Sequence, residues 1–160
     1  MGLQIGDRAP EVVLPSHTLE RVALKEVLGG RPTVIHFFPL AFSSTCTAQL
    51  CTARDQQPEL AGLDAQVVAI SVDSPYVLSR YREALGADYL FLSDFNREAS
   101  VGFGVLRQAP VGPGLLNASD RAAFVVDGAG VIRYAWHSTN PGLLPPFEEI
   151  REAVSRLAGV

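Results

Sequence analysis

The sequence predicts an α/β fold, a central mixed β-sheet with helices on both faces, and three patterns carry that prediction. Thr33–Phe38 and Gln66–Ser71 are near-continuous apolar runs rich in β-branched and aromatic residues, the character of central strands buried on two faces. Between them, Cys46 to Asp55 holds neither Gly nor Pro and is rich in helix formers, which suits the crossover helix of a right-handed βαβ unit. Ala122–Val126 and Val131–Trp136 flank Asp127-Gly128-Ala129-Gly130, a turn sequence that predicts an antiparallel hairpin.

The remaining elements follow in chain order. Ser74 before Pro75 is an N-cap with proline at the first helical position, opening a helix through about Leu85 that Gly86 ends. Tyr89–Leu92 is a third short apolar strand, closed by Ser93-Asp94. From Phe147 to Leu157, apolar Phe147, Ile150, Val154 and Leu157 recur at helical spacing with Glu148, Arg151, Glu152 and Arg156 between them, an amphipathic helix lying on the sheet. Strand-helix-strand, helix, strand, hairpin, helix is a thioredoxin-like order in three layers. No internal repeat or linker interrupts it, so one domain is expected over residues 1–160.

Composition narrows the function classes. At 160 residues the chain is long enough to bury a core without staples, and two cysteines exclude a disulfide scaffold. Thirteen basic against seventeen acidic residues give a net charge of -4, which argues against a nucleic-acid or anionic-membrane partner held by bulk charge. The N-terminus has no basic-then-apolar leader, so a cytoplasmic protein is expected, and Gly6 stands where a myristoylation motif needs Ser or Thr. Pro32 to Ala53 is free of charged residues, yet Pro39 and six polar side chains make it unsuited to span a bilayer; it reads as a buried strand leading into a site. Asn117-Ala118-Ser119 matches a glycosylation sequon but has no leader to take it to a glycosylating compartment.

That site is the run Phe37-Phe38-Pro39-Leu40-Ala41-Phe42-Ser43-Ser44-Thr45-Cys46-Thr47-Ala48-Gln49-Leu50-Cys51. A thiol in the first turn of a helix faces unpaired N–H groups and the positive end of the macrodipole, both of which favour the thiolate. Ser43, Ser44 and Thr45 can cap that helix or donate to a bound oxygen, while Pro39 fixes the exit from the strand.

The segment resembles the active-site signature of the peroxiredoxins: a Pro, three residues, a Thr or Ser, two residues, then the peroxidatic Cys, here Pro39, Ser43 and Cys46. Asp73-Ser74-Pro75, Phe91-Leu92-Ser93-Asp94 and Arg121 before Ala122–Asp127 extend the likeness over nearly the whole chain. A second cysteine five residues after the first is similar to the bacterioferritin-comigratory (Q-type) subgroup. Pro39-Leu40-Ala41-Phe42 and Tyr134-Ala135-Trp136 resemble the one-cysteine E-type subgroup.

The resemblance implies a cofactor-free thiol peroxidase in which Cys46 attacks a hydroperoxide and becomes a sulfenic acid. Donors at the O–O bond would be the Ser43 hydroxyl, the first backbone N–H groups of the helix and Arg121, whose charge also favours the thiolate. Gln49 stands where many members carry Glu; its amide can accept from Arg121 but offers no countercharge. Cys51 is the expected resolving cysteine, with a thioredoxin- or glutaredoxin-like dithiol as reductant and a monomer or homodimer as the working state. On an intact helix, residues five apart have Cα atoms about 9 Å apart, whereas a disulfide needs less than about 7 Å, so joining Cys46 to Cys51 requires the helix to open. A one-cysteine enzyme resolved by an external thiol is the alternative. A plain thiol-disulfide oxidoreductase would be expected to carry C-x2-C, and a non-catalytic binding module would be insensitive to loss of Cys46.

Other features have plainer readings. His17, His36 and His137 lie at no ligand spacing to the cysteines, so no metal site is expected, and His36 reads as a core or pocket-edge histidine. Gly102-Phe103-Gly104 reads as a turn, and Glu148, Glu149 and Glu152 as a solvated helix face. Trp136 and the loop Val111–Leu116 have open readings as pocket wall, dimer contact or core.

Overall fold

The structure is a computed structural model that describes residues 2–159. A small antiparallel pair, β1 (Val13–Pro15) and β2 (Arg21–Ala23), leads through α1 (Leu24–Leu28) into the main sheet. Then follow β3 (Thr33–Phe37), α2 (Ser44–Gly62), β4 (Gln66–Ser71), α3 (Pro75–Leu85), β5 (Leu90–Ser93), α4 (Glu98–Gly102), β6 (Arg121–Val126), β7 (Ile132–Ser138) and α5 (Phe147–Leu157). The five-stranded sheet has the order β5-β4-β3-β6-β7, with β3, β4 and β5 parallel and β6 and β7 antiparallel to their neighbours.

This is the expected mixed sheet with helices on both faces. The three longer helices, α2, α3 and α5, all cover one face, where Leu50, Leu60, Leu78, Tyr81, Ile150 and Val154 meet Val34, Phe38 and Phe91. The opposite face is closed by the N-terminal elements and α4, with Leu14, Leu24, Leu28, Ala99 and Phe103 against Ile35, Phe37, Ile70 and Phe124. Alternation along β3 and just past its end sends Phe37 and Phe38 to opposite faces. Both are fully buried, and each contributes roughly 2–3 kcal/mol of transfer free energy.

Local signals account for most boundaries. The Ser74 hydroxyl accepts from the Val77 N–H at 3.3 Å, and Gly86 ends α3 in the left-handed region at φ 63°. Helix α2 runs further than Asp55, passing through Pro58 to Gly62. Proline there leaves one carbonyl without its intrahelical donor, and the burial of Leu60 holds the last turn on the sheet. Gly102 is the last residue of α4, and Phe103-Gly104 is the expected turn, with Gly104 at φ 71°.

Two details position the site. In the β3–β6 ladder Phe37 is opposite Ala122, so Arg121 enters the sheet one step beyond the last residue of β3, where the chain turns toward α2. At the other end of that ladder, the loop after β6 touches the loop before β3 so closely that a Cβ on Gly128 would lie 2.4 Å from the Gly30 carbonyl oxygen; only glycine fits. Among the described residues no helix is long and apolar enough to cross a membrane.

Candidate active site

The loop from β3 to α2 carries the signature residues. Pro39 is buried, Ala41 donates its N–H to Asp73 Oδ2 at 2.8 Å, and Phe42 sits at φ 68° with its ring 4.7 Å from that of Tyr81. Asp73 in turn accepts the Ser71 hydroxyl at 2.7 Å, so the end of β4 braces the loop. With Ser43 at the N-cap position, Cys46 is the third residue of the helix, inside the first turn whose N–H groups have no intrahelical partner.

Ser43 departs from one expectation. It occupies the N-cap position, and its carbonyl accepts from Thr47 N–H at 2.9 Å, but its hydroxyl makes no capping bond and donates to the Leu40 carbonyl at 2.9 Å. The backbone turn of Leu40–Ser43 brings that carbonyl within reach, and a hydroxyl satisfied within its own loop is not used to close the helix.

Cys46 is 1% exposed and Arg121 2% exposed, and they meet although 75 residues separate them in sequence. Arg121 Nη1 donates to Cys46 Sγ at 3.3 Å and to Gln49 Oε1 at 2.8 Å, while Nη2 donates to the Pro141 carbonyl at 2.7 Å. Gln49 therefore accepts from the arginine as its amide predicts, and Nε2 of the same amide reaches His36 Nδ1 at 3.1 Å and the Phe37 carbonyl at 3.3 Å. Burial pushes the His36 imidazole down to about 4, so the ring is neutral near pH 7. Thr47 pairs its hydroxyl with that of Tyr81 at 2.9 Å, and burial pushes the Tyr81 phenol up to about 12, leaving it protonated.

A cavity of about 240 Å³ opens onto this cluster, lined by Pro39, Ser43, Ser44, Thr45, Cys46 and Arg121, together with Val111, Leu115 and Pro141. Val111 and Leu115 thus bring their loop to the cavity lining, whereas Trp136 is not among its lining residues and pairs with Ala123 in the sheet. Cys51, five residues along α2, is partly buried against the core, and both thiols are free. Sequence reasoning missed the Pro141 carbonyl, which has no side-chain signature, and the His36–Gln49 contact, for which a lone polar residue in an apolar strand was the available signal.

Residues 5–135 match the AhpC/TSA family description. The chain belongs to the AhpC/TSA family. Its relatives include Peroxiredoxin Bcp of Escherichia coli (strain K12), 32% identical over 134 residues, 84% of this chain and 85% of that one. Alkyl hydroperoxide reductase E of Mycobacterium bovis is 33% identical over 135 residues, covering 83% and 84%. Among solved structures, peroxidoxin BcpB from Mycobacterium tuberculosis superposes with a TM-score of 0.84 at 27% identity, over 99% of this peroxiredoxin and 98% of that chain. The resemblance read from Pro39, Ser43 and Cys46 and the family match coincide.

Proposed function

We propose that this peroxiredoxin, acting as one cytoplasmic domain, reduces hydrogen peroxide and organic hydroperoxides with Cys46 as the attacking sulfur. The observation that carries the reading is the Arg121 guanidinium 3.3 Å from Sγ, both lining one cavity. Negative charge on sulfur is stabilised by that donor and by the helix N-terminus. The thiolate attacks one peroxide oxygen; an S–O bond forms, the O–O bond breaks, and sulfur is oxidised by two electrons to the sulfenic acid. The departing oxygen leaves as hydroxide or alkoxide and takes up a proton. Charge grows on that oxygen as it departs, and the donors facing it are Arg121 and the first N–H groups of α2.

Cys51 is the resolving thiol in this reading. Its sulfur displaces water from the sulfenic acid to form the Cys46–Cys51 disulfide, and a thioredoxin- or glutaredoxin-like dithiol reduces it by exchange, becoming a disulfide itself. Both cysteines lie in one continuous helix, so the first turns of α2 open when the bond forms. One equivalent of peroxide added to reduced protein in a stopped-flow instrument, followed by intact-mass measurement, tests the scheme. The wild type loses two hydrogens, Cys51→Ser gains one oxygen, and Cys46→Ser stays unmodified. Consumption no faster than that of a free thiol removes the peroxidase reading, and a wild-type product carrying one oxygen removes Cys51 as resolving thiol in favour of an external one.

A further inference from the structure

Gln49 is uncharged, so which end of its amide meets Arg121 depends on which neighbours donate and which accept. A guanidinium only donates. The 2.8 Å contact therefore places Oε1 on the Arg121 side, and Nε2 faces His36 Nδ1 at 3.1 Å. An amide nitrogen only donates as well, so Nδ1 must present a lone pair, and the single proton of the neutral ring resides on Nε2. His36 Nε2 is buried without a hydrogen-bond partner, and the ring lies 5.5 Å from that of Phe147.

We propose that His36 is a positioning residue for the peroxidase reaction: its Nδ1 lone pair orients the Gln49 amide, and the amide so oriented holds Arg121 against Cys46. This rests on the reading of Cys46 as the attacking sulfur. Rotating the amide by a half turn would aim its NH2 at the guanidinium and its oxygen at the Nδ1 lone pair, two repulsive contacts in place of two attractive ones. Without the imidazole, the amide would keep its bond to the guanidinium but lose one of the two acceptors of its NH2, leaving that end held only by the longer bond to the Phe37 carbonyl at 3.3 Å. Packing alone gives no reason for this side chain, since an apolar residue would fill the strand position without burying an unpaired N–H.

The ring nitrogens of His36, read by two-bond ¹⁵N correlation at pH 7, test the chain of contacts directly. The expected result is a protonated Nε2 with an unprotonated Nδ1, changing to a protonated Nδ1 in Gln49→Glu, where a carboxylate accepts from the ring. In parallel, His36→Val is expected to slow the reaction with peroxide about tenfold, the weight of one oriented hydrogen bond, and to lower the thiolate fraction of the reactive cysteine at pH 6. His36→Asn, whose Oδ1 takes the place of Nδ1, restores both. A protonated Nδ1 in the wild type overturns the proposal, as does a folded His36→Val with unchanged rate and thiolate fraction. Should His36→Val fail to fold, His36→Asn and Gln49→Glu decide: wild-type rate in the first with a switched tautomer in the second supports it, and any other pair of results overturns it. If the wild type consumes no peroxide, the reading of Cys46 falls by itself, while the tautomer and the thiolate fraction still judge the positioning.

Discussion

Two arginines, Arg121 buried and Arg107 partly buried, enter the same corner of the molecule under opposite electrostatic terms. Arg107 Nη1 donates to Asp120 Oδ1 at 3.0 Å and to the Thr139 carbonyl at 2.8 Å, and Asp120 also meets His137 Nε2 at 2.8 Å. Arg121, the very next residue after Asp120, has no carboxylate partner among the described residues; its acceptors are an amide, a peptide carbonyl and a sulfur. Chain alternation sends the two adjacent side chains to different sides, so one strand entrance serves both. The difference teaches how the fold separates structure from chemistry. A cation paired with a carboxylate has its charge balanced where it braces the backbone, whereas a buried cation facing only an amide and a peptide carbonyl has no countercharge but what the sulfur 3.3 Å away can offer.

The largest expected effect comes from removing the uncompensated charge. Arg121→Met should cut the rate constant for peroxide by about a thousandfold, roughly 4 kcal/mol of barrier, with little change in urea midpoint; a rate within tenfold of wild type would break the contrast. Arg107→Met should do the reverse, losing about 3 kcal/mol of stability because Asp120 stays buried without its main partner, while the rate constant stays within about threefold. Chemical denaturation and stopped-flow measurements on the same two variants check both halves.

A pH prediction sharpens the comparison on the Arg121 side. In the unfolded chain His36 binds a proton near its usual 6.5, whereas in the folded protein burial holds it at about 4. The unfolded state therefore binds more protons between those values, and stability falls as pH drops through that window. From pH 7 to pH 5 the loss from this group is about 2 kcal/mol, and His36→Val should abolish that part of the slope in denaturation curves. The smallest effect is expected from Gln49→Glu. A carboxylate there gives Arg121 the kind of partner Arg107 already has, lowering the thiolate fraction at pH 6 by about tenfold, which iodoacetamide trapping would read; an unchanged fraction would mean that the neutrality of Gln49 is immaterial.

Much of this was legible in the sequence because it rests on strong local chemistry. Ser74-Pro75 and Gly86 bound α3, the apolar spacing from Phe147 to Leu157 matches α5 end to end, and the glycine-rich turn after Asp127 marks the β6–β7 hairpin. The meeting of Cys46, Gln49 and Arg121 was implied by the family resemblance, and the structure brings the three together. What escaped is short or lacks a side-chain signal. Strands β1 and β2 have three residues each and α1 and α4 five, too few for any periodicity to emerge. The continuation of α2 past Pro58 is decided by tertiary burial of Leu60, which outweighs the local preference. The hold of Pro141 on Arg121 belongs to a backbone carbonyl that any residue would supply.

The close approach of Gly128 to Gly30 reaches further than its corner of the fold. Strand β6 reads Arg-Ala-Ala-Phe-Val-Val and is buried throughout, so its side chains give little of the inside-outside contrast by which pairing partners are usually selected. A slip of a single residue against β3 would leave nearly the same apolar atoms in the core, yet it would turn Arg121 to the opposite side of the sheet, away from the sulfur. The fit of one hydrogen atom where a methyl group could not go locks the ladder at its far end. Catalytic competence is in this sense aligned from a distance: a residue with no side chain, roughly 20 Å along the strand from the thiol, acts as the index mark that tells the arginine where to stand.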